Sequence, residues 1–316
     1  MKLLFMGTPD FALFSLKALM QAGEDVIGVV TQPDKPRGRG YELTPPPVKR
    51  FAQTAGLPVW QPGTLRGEAF ASLLDTLAPE LIVVVAYGKI LPGNVLTYPR
   101  YGCINVHGSL LPAYRGAAPM QRAILDGCTV TGVTTMYMDE GLDTGDMLLK
   151  AEVPIGENDT FEDIHDRLGT VGADLLVRTL QELRAGTLVR TPQDGSLATY
   201  AAKIEKQDCL LDFTRPAREL HNQIRGLSPL PLAVTATPDG RRLKIIASHL
   251  PGLPAPVGIR PGTVLALNDG CITVACGQGA LALDSVVPEG KSRMSAADFI
   301  RGRKIAVGDL LGATLA

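Results

Sequence analysis

An amide and an imidazole stand two residues apart in Cys103-Ile104-Asn105-Val106-His107-Gly108-Ser109-Leu110-Leu111-Pro112. The run reads as a short strand ending in a polar cluster and a Pro/Gly-rich turn. Residues two apart on a strand share a face, so Asn105 and His107 project together, roughly 6–7 Å apart along the backbone. Such a pair can bracket a carbonyl and a proton-bearing nucleophile. Downstream, Asp139-Glu140-Gly141-Leu142-Asp143-Thr144-Gly145-Asp146 follows another predicted strand. One of its carboxylates can reach the imidazole and orient it. The spacing of these acids does not match an EF-hand calcium loop.

Two further stretches bear on binding. Gly7-Thr8-Pro9-Asp10 sits where a dinucleotide fingerprint would, yet it is not Gly-x-Gly-x-x-Gly, and no Walker motif occurs, which disfavours nicotinamide and ATP sites. It is either a plain strand–helix turn or part of a substrate wall. Gln32-Pro33-Asp34-Lys35-Pro36-Arg37-Gly38-Arg39-Gly40 interleaves three cations with prolines and glycines. It cannot make a helix or a packed strand, so an exposed loop is expected. Its guanidiniums suit phosphates. The five cysteines (103, 128, 209, 271 and 276) form no Cys-x-x-Cys pair and have no histidine at zinc-finger spacing, so reduced thiols and no metal are expected.

The elements that must position these residues follow from periodicity. Lys2–Met6, Val26–Thr31, Leu81–Ala86, Ile104–His107 and Val133–Met138 read as strands. Helices are expected over Phe11–Ala22, Val48–Ala55, Glu68–Leu77, Ala118–Leu125 and Phe161–Arg184. Leu81–Ala86 is apolar without alternation, as in a central parallel strand covered on both faces. Strands alternating with helices imply a doubly wound, mostly parallel α/β domain over residues 1–186. Residues 187–205 lack a long periodic segment and read as a linker. Over 206–316 one helical piece, Ala217–Arg225, precedes short β runs separated by Asp239-Gly240, Asn268-Asp269-Gly270 and Gly277-Gln278-Gly279, which implies a small OB-like β-barrel. Ser295 is the expected N-cap of a last helix to Arg303.

The net charge of −1 excludes nothing by itself, but residues 206–316 carry 13 basic and 9 acidic side chains, a mildly basic surface. Met1–Gly7 is too short an apolar run for a secretory leader, and no run of about 18 apolar residues occurs. A cytoplasmic protein without membrane attachment is expected.

Taken together, the Gly7–Phe11 turn, the Pro33–Gly40 loop, Asn105–Pro112 with Arg115-Gly116-Ala117-Ala118-Pro119, and Met138–Asp146 resemble the methionyl-tRNA formyltransferases, over essentially the full length. The last two elements are shared by the wider family of 10-formyltetrahydrofolate-dependent transformylases; the basic loop and the barrel point to the tRNA enzymes. The resemblance implies a Rossmann-like formyltransferase domain followed by an OB-like barrel. It implies Asn105, His107 and Asp143 as catalytic residues. Val85, Ala86, Tyr87, Gly88, Ser109, Leu110, Leu111, Pro112 and Asp139 would line the folate pocket, and Lys35, Arg37 and Arg39 would meet tRNA. The co-substrates would be 10-formyltetrahydrofolate and initiator methionyl-tRNA, with no metal and a monomeric enzyme. Leu230, in Ser228-Pro229-Leu230-Pro231, stands where family members often carry an aromatic residue.

The chemistry would be attack of the free methionyl amine on the formyl carbon, with Asn105 donating to the carbonyl oxygen. His107 would donate to the same oxygen or move a proton toward the leaving folate nitrogen, and the residues do not rank these roles. An amino-sugar nucleotide or water as acceptor, and a silent nucleic-acid-binding protein, are the competing readings. The cationic loop argues against the first two, and the complete Asn105, His107 and Asp143 set against the third.

Overall fold

The computed structural model describes every residue except 38–41, 253, 255–257, 269 and 313–316. The chain divides into two compact units. The first holds residues 1–119, 130–154 and 165–201; the second holds 120–129, 155–164 and 202–316.

The opening βαβ is β1 (Lys2–Gly7), α1 (Asp10–Gln21) and β2 (Asp25–Val30). Next come β3 (Lys35–Arg37), β4 (Glu42–Thr44), α2 (Pro47–Thr54), β5 (Val59–Trp60), α3 (Glu68–Leu77) and β6 (Leu81–Val85). The chain continues through α4 (Gly93–Leu96), β7 (Cys103–His107), β8 (Arg115–Gly116), α5 (Pro119–Leu125), β9 (Val130–Tyr137) and β10 (Met147–Pro154). A long helix, α6 (Phe161–Ala185), and the short β11 (Tyr200–Ala201) follow.

Seven strands form one sheet in the order β10-β9-β7-β6-β1-β2-β5. β7, β6, β1, β2 and β5 run parallel; β9 runs against them, and β10 pairs antiparallel with β9. Every residue of β6 is buried, as its unbroken apolar run requires of a strand covered on both faces. Leu4, Met6, Ile82 and Val84 pack with Phe70, Leu74 and Val95 in one core cluster. The chain winds outward from β1 to β5, then returns to lay β6 and β7 on the other side of β1, so the strand order reverses at β1/β6.

Three parts of this unit differ from expectation. β10 is an edge strand that shows only as a short alternation, with Leu149, Ala151 and Val153 more buried than Lys150, Glu152 and Pro154; the terminal proline is tolerated because an edge strand can forgo a ladder donor. Within the stretch expected as a loop, Lys35–Arg37 does pair: β3 runs antiparallel to β4. A two-stranded ribbon needs no packed face, and Lys35, Pro36 and Leu43 stay exposed. Residues 187–201, expected as linker, belong to the first unit, where β11 pairs with β8.

The second unit contains α7 (Ala217–Gly226) and the antiparallel strands β12 (Ala233–Ala236), β13 (Arg242–His249), β14 (Val264–Ala266), β15 (Ile272–Ala275) and β16 (Ala280–Pro288). β17 (Met294–Ser295) and α8 (Ala296–Arg301) close it. The strands form a half-barrel in the order β12-β13-β16-β15-β14, with β17 on β16. Leu220, Ile224, Ile245, Val274, Leu281 and Leu283 share its core. The Ser295 hydroxyl accepts from the Asp298 N–H, the expected cap.

α7 also buries polar side chains. His221 Nδ1 lies 3.0 Å from Ser248 Oγ and Nε2 3.1 Å from the Glu157 carbonyl. Burial pulls this imidazole below its ordinary 6.5, so the unfolded chain takes up the proton first as pH falls. Stability of this unit is expected to be intact above 6.5 and to decline below it. Urea midpoints on either side of that value check this, and His221→Gln should flatten the dependence.

Candidate active site

β7 carries Asn105 and His107 to the carboxyl edge of the sheet, beside β6 and the reversal of strand order, where open α/β sheets bind ligands. The two residues are buried, 9% and 6% exposed. His107 Nε2 lies 2.9 Å from the Tyr114 carbonyl, an acceptor that fixes a proton on that nitrogen. Its Nδ1 faces Asp143 Oδ2 at 3.7 Å. That oxygen also accepts from the Gly116 N–H at 2.8 Å. Both ring nitrogens thus face acceptor oxygens: the Tyr114 carbonyl takes the Nε2 proton, and a proton added to the ring would sit on Nδ1, facing Asp143 Oδ2.

Asn105 differs from its neighbours. Among the described residues its amide has no hydrogen-bond partner, yet it is not among the side-chain polar atoms sealed from solvent without one. It is a donor held in place and reachable by a ligand.

The acidic loop is pinned from several sides. Asp143 has φ +54°, in the left-handed region that side chains other than glycine disfavour. A Cβ on Gly145 would run into the Tyr137 carbonyl, so only glycine lets the loop lie this close to β9. Asp139 Oδ1 accepts from Gly141 N at 3.0 Å and Thr144 Oγ1 at 2.6 Å, closing the loop on itself.

The turn after β7 is scaffolded in the same way. Ser109 Oγ donates to the Ala113 carbonyl at 2.6 Å, and Thr134 Oγ1 donates to the Ser109 carbonyl at 2.7 Å and accepts from Leu111 N at 3.1 Å. Lys150 Nζ donates to the Leu111 carbonyl at 2.5 Å, and desolvation lowers its ammonium from the usual value. Ser109 and Leu111 are fully buried, which leaves Leu110 and Pro112 as the half-buried side chains of the turn. On the neighbouring β6, Val85 is buried and the Tyr87 ring belongs to the core, while Ala86 and Gly88 are exposed at φ +47° and +87°. This rim therefore offers mainly backbone to a ligand.

Thr8, Pro9, Asp10, Gln32, Pro33 and Lys35 line a cleft of about 330 Å³, so the turn after β1 and the β3–β4 ribbon share one wall. Lys49 Nζ anchors the ribbon's base through Asp34 at 2.8 Å and Gln61 at 2.7 Å, and its bond holds the Asp34 carboxyl below the usual carboxylate value. Arg39 lies outside the described residues, and of Arg37 only the backbone is described. Burial pushes the Cys103 thiol up to about 12, which leaves no thiolate beside Asn105. Leu230 is 64% exposed.

Sequence reasoning missed Gln193. Its amide bonds to the carbonyls of Asp143 and Gly145, but it lies in a stretch without periodicity, and nothing in its own neighbourhood marks it.

Comparison with known proteins gives the class to which this fold belongs. The family described as Formyl transferase matches residues 1–180, and its C-terminal domain matches residues 203–304. The methionyl-tRNA formyltransferase of Symbiobacterium thermophilum is 53% identical over 98% of this chain and 94% of its own. Among solved structures, HypX from Aquifex aeolicus in complex with tetrahydrofolic acid shares the fold at TM-score 0.61 and 15% identity, over 94% of this chain and 46% of that one. An N-formyltransferase from Helicobacter canadensis, solved with folinic acid and dTDP-3-aminofucose, does so at TM-score 0.62 and 19% identity, over 90% and 99%. The chain belongs to the formyl transferase family and, within it, to the methionyl-tRNA formyltransferases.

Proposed function

We propose that the protein moves the formyl group of 10-formyltetrahydrofolate onto the α-amine of methionyl initiator tRNA, for translation initiation, as a cytoplasmic monomer. The observation that carries the reading is the unengaged Asn105 amide beside the His107–Asp143 pair at the strand ends. The amine attacks the formyl carbon as a free base, and a C–N bond forms as the carbonyl oxygen gains negative charge. Asn105 donates to that oxygen. The bond to folate N10 then breaks, N10 gains a proton and the amine loses one. His107, oriented by Asp143 and the Tyr114 carbonyl, relays it. The folate supplies the one-carbon unit and lies against the Val85–Gly88 and Ser109–Pro112 rim, with Asp139 at its edge. No step needs a metal or a covalent enzyme intermediate.

Lys35, Arg37 and Arg39 form the tRNA contact in this reading. Arg39→Ala is expected to weaken tRNA binding and to lower the slope of log affinity against log salt by about one unit, while folate binding and thermal stability stay near wild type. Arg39→Lys should restore part of the affinity, because a point charge replaces a planar fork. Affinity measured across a salt series for the three proteins is the test. Identical slopes and affinities would make the ribbon a solvated loop and return the amino-sugar nucleotide as acceptor.

A further inference from the structure

We propose that Gln193, itself held by Arg115, is a positioning residue that sets the Asp143 loop and through it the His107–Asp143 pair; this rests on the catalytic reading of that pair. The stretch around Gln193 is anchored on both sides. Thr191 exchanges two backbone bonds with Met147, each 2.9 Å, and β11 pairs with β8. Between these anchors Gln193 Nε2 donates to the carbonyls of Asp143 and Gly145, both at 2.8 Å. Its Oε1 accepts from Arg115 Nε at 3.0 Å and Nη2 at 2.8 Å.

The arrangement is directional. A guanidinium only donates, so buried Arg115 dictates that the amide oxygen faces it and the NH2 faces the loop. Both amide hydrogens and the amide oxygen are then committed. They act on a residue that needs holding, because Asp143 sits at φ +54°, a conformation that persists when its surroundings over-determine it. Gly145 lies so close to the Tyr137 carbonyl that no Cβ fits, and its own carbonyl is tied by Gln193. β8 controls both ends of Asp143: Arg115 orients the amide that holds its backbone, and the Gly116 N–H binds its carboxylate at 2.8 Å. A catalytic group displaced by about 1 Å can lose on the order of 10²-fold in rate, so the clamp has a catalytic consequence without touching substrate.

Gln193→Glu is the decisive variant. It keeps the volume and an acceptor for Arg115, but turns a carboxylate oxygen toward two carbonyls in place of two donors. Formyl transfer by the full chain is expected to lose roughly tenfold to a hundredfold in kcat, with KM for both substrates and the thermal midpoint little changed. Gln193→Met, which removes the clamp without adding charge, should behave alike and serves if the first variant fails to fold. The effect should vanish in Asp143→Ala, since a residue acting through Asp143 has nothing left to position. An unchanged kcat for Gln193→Glu beside an impaired Asp143→Ala overturns the proposal alone. So does an equal further loss in the Asp143→Ala background, which assigns Gln193 a merely structural role. A fully active Asp143→Ala removes the catalytic reading of Asp143, and the proposal with it.

Discussion

Alanine at His107, alanine at Asp143 and the double substitution are expected to cost similar amounts of kcat, each about 10²–10⁴-fold. The expectation rests on the shared geometry: Asp143 Oδ2 faces His107 Nδ1 at 3.7 Å, and the opposite nitrogen is held by the Tyr114 carbonyl. Residues that act as a unit are non-additive, so once one is gone the other has little left to contribute. Single-turnover formyl transfer for the four proteins measures this. Two single losses that multiply in the double variant would mean that the carboxylate and the imidazole work independently.

Asn105→Ala is expected to lower kcat about 10²–10³-fold with KM for the folate little changed, because a hydrogen bond to the carbonyl oxygen strengthens as charge develops. The structure adds a second expectation. Among the described residues the amide bonds to no protein group, so its removal orphans no partner, and the thermal midpoint should stay near that of the wild type. Steady-state kinetics with folate titration, read beside a melting curve, separates the outcomes. A variant with normal kcat and weakened folate binding would make Asn105 a binding residue.

How much of this was legible in the sequence depends on how local each signal is. β6 could be read because a strand buried on both faces must be apolar throughout, and α3 spans Glu68–Leu77 as its periodicity predicts. The Asn105/His107 pair was legible because a period of two places both on one face. That Asp143, rather than another acid of its loop, meets His107 was not. Choosing it requires the β7–β9 register, which sets His107 opposite Thr134, and the left-handed turn at Asp143. β10 was missed because an edge strand alternates only weakly. Residues 187–205 read as linker because side chains that bond to distant backbone, as Gln193 does, leave no repeating pattern. The β3–β4 ribbon was missed because proline and glycine argue against a packed strand, and this one is unpacked. In the second unit the turns marked the strands, but the order β12-β13-β16-β15-β14 rests on non-local pairings that short strands do not announce.

The acceptor distinguishes this activity from its alternatives as much as the chemistry does. The most direct measurement supplies labelled 10-formyltetrahydrofolate to the full chain with initiator methionyl-tRNA, free methionine and an amino-sugar nucleotide, each alone and in competition. The expected result is label on the α-amine of the tRNA-bound methionine, with the other two acceptors far slower and unable to compete. Efficient formylation of the sugar nucleotide, or release of labelled formate with no transfer to tRNA, would contradict the account.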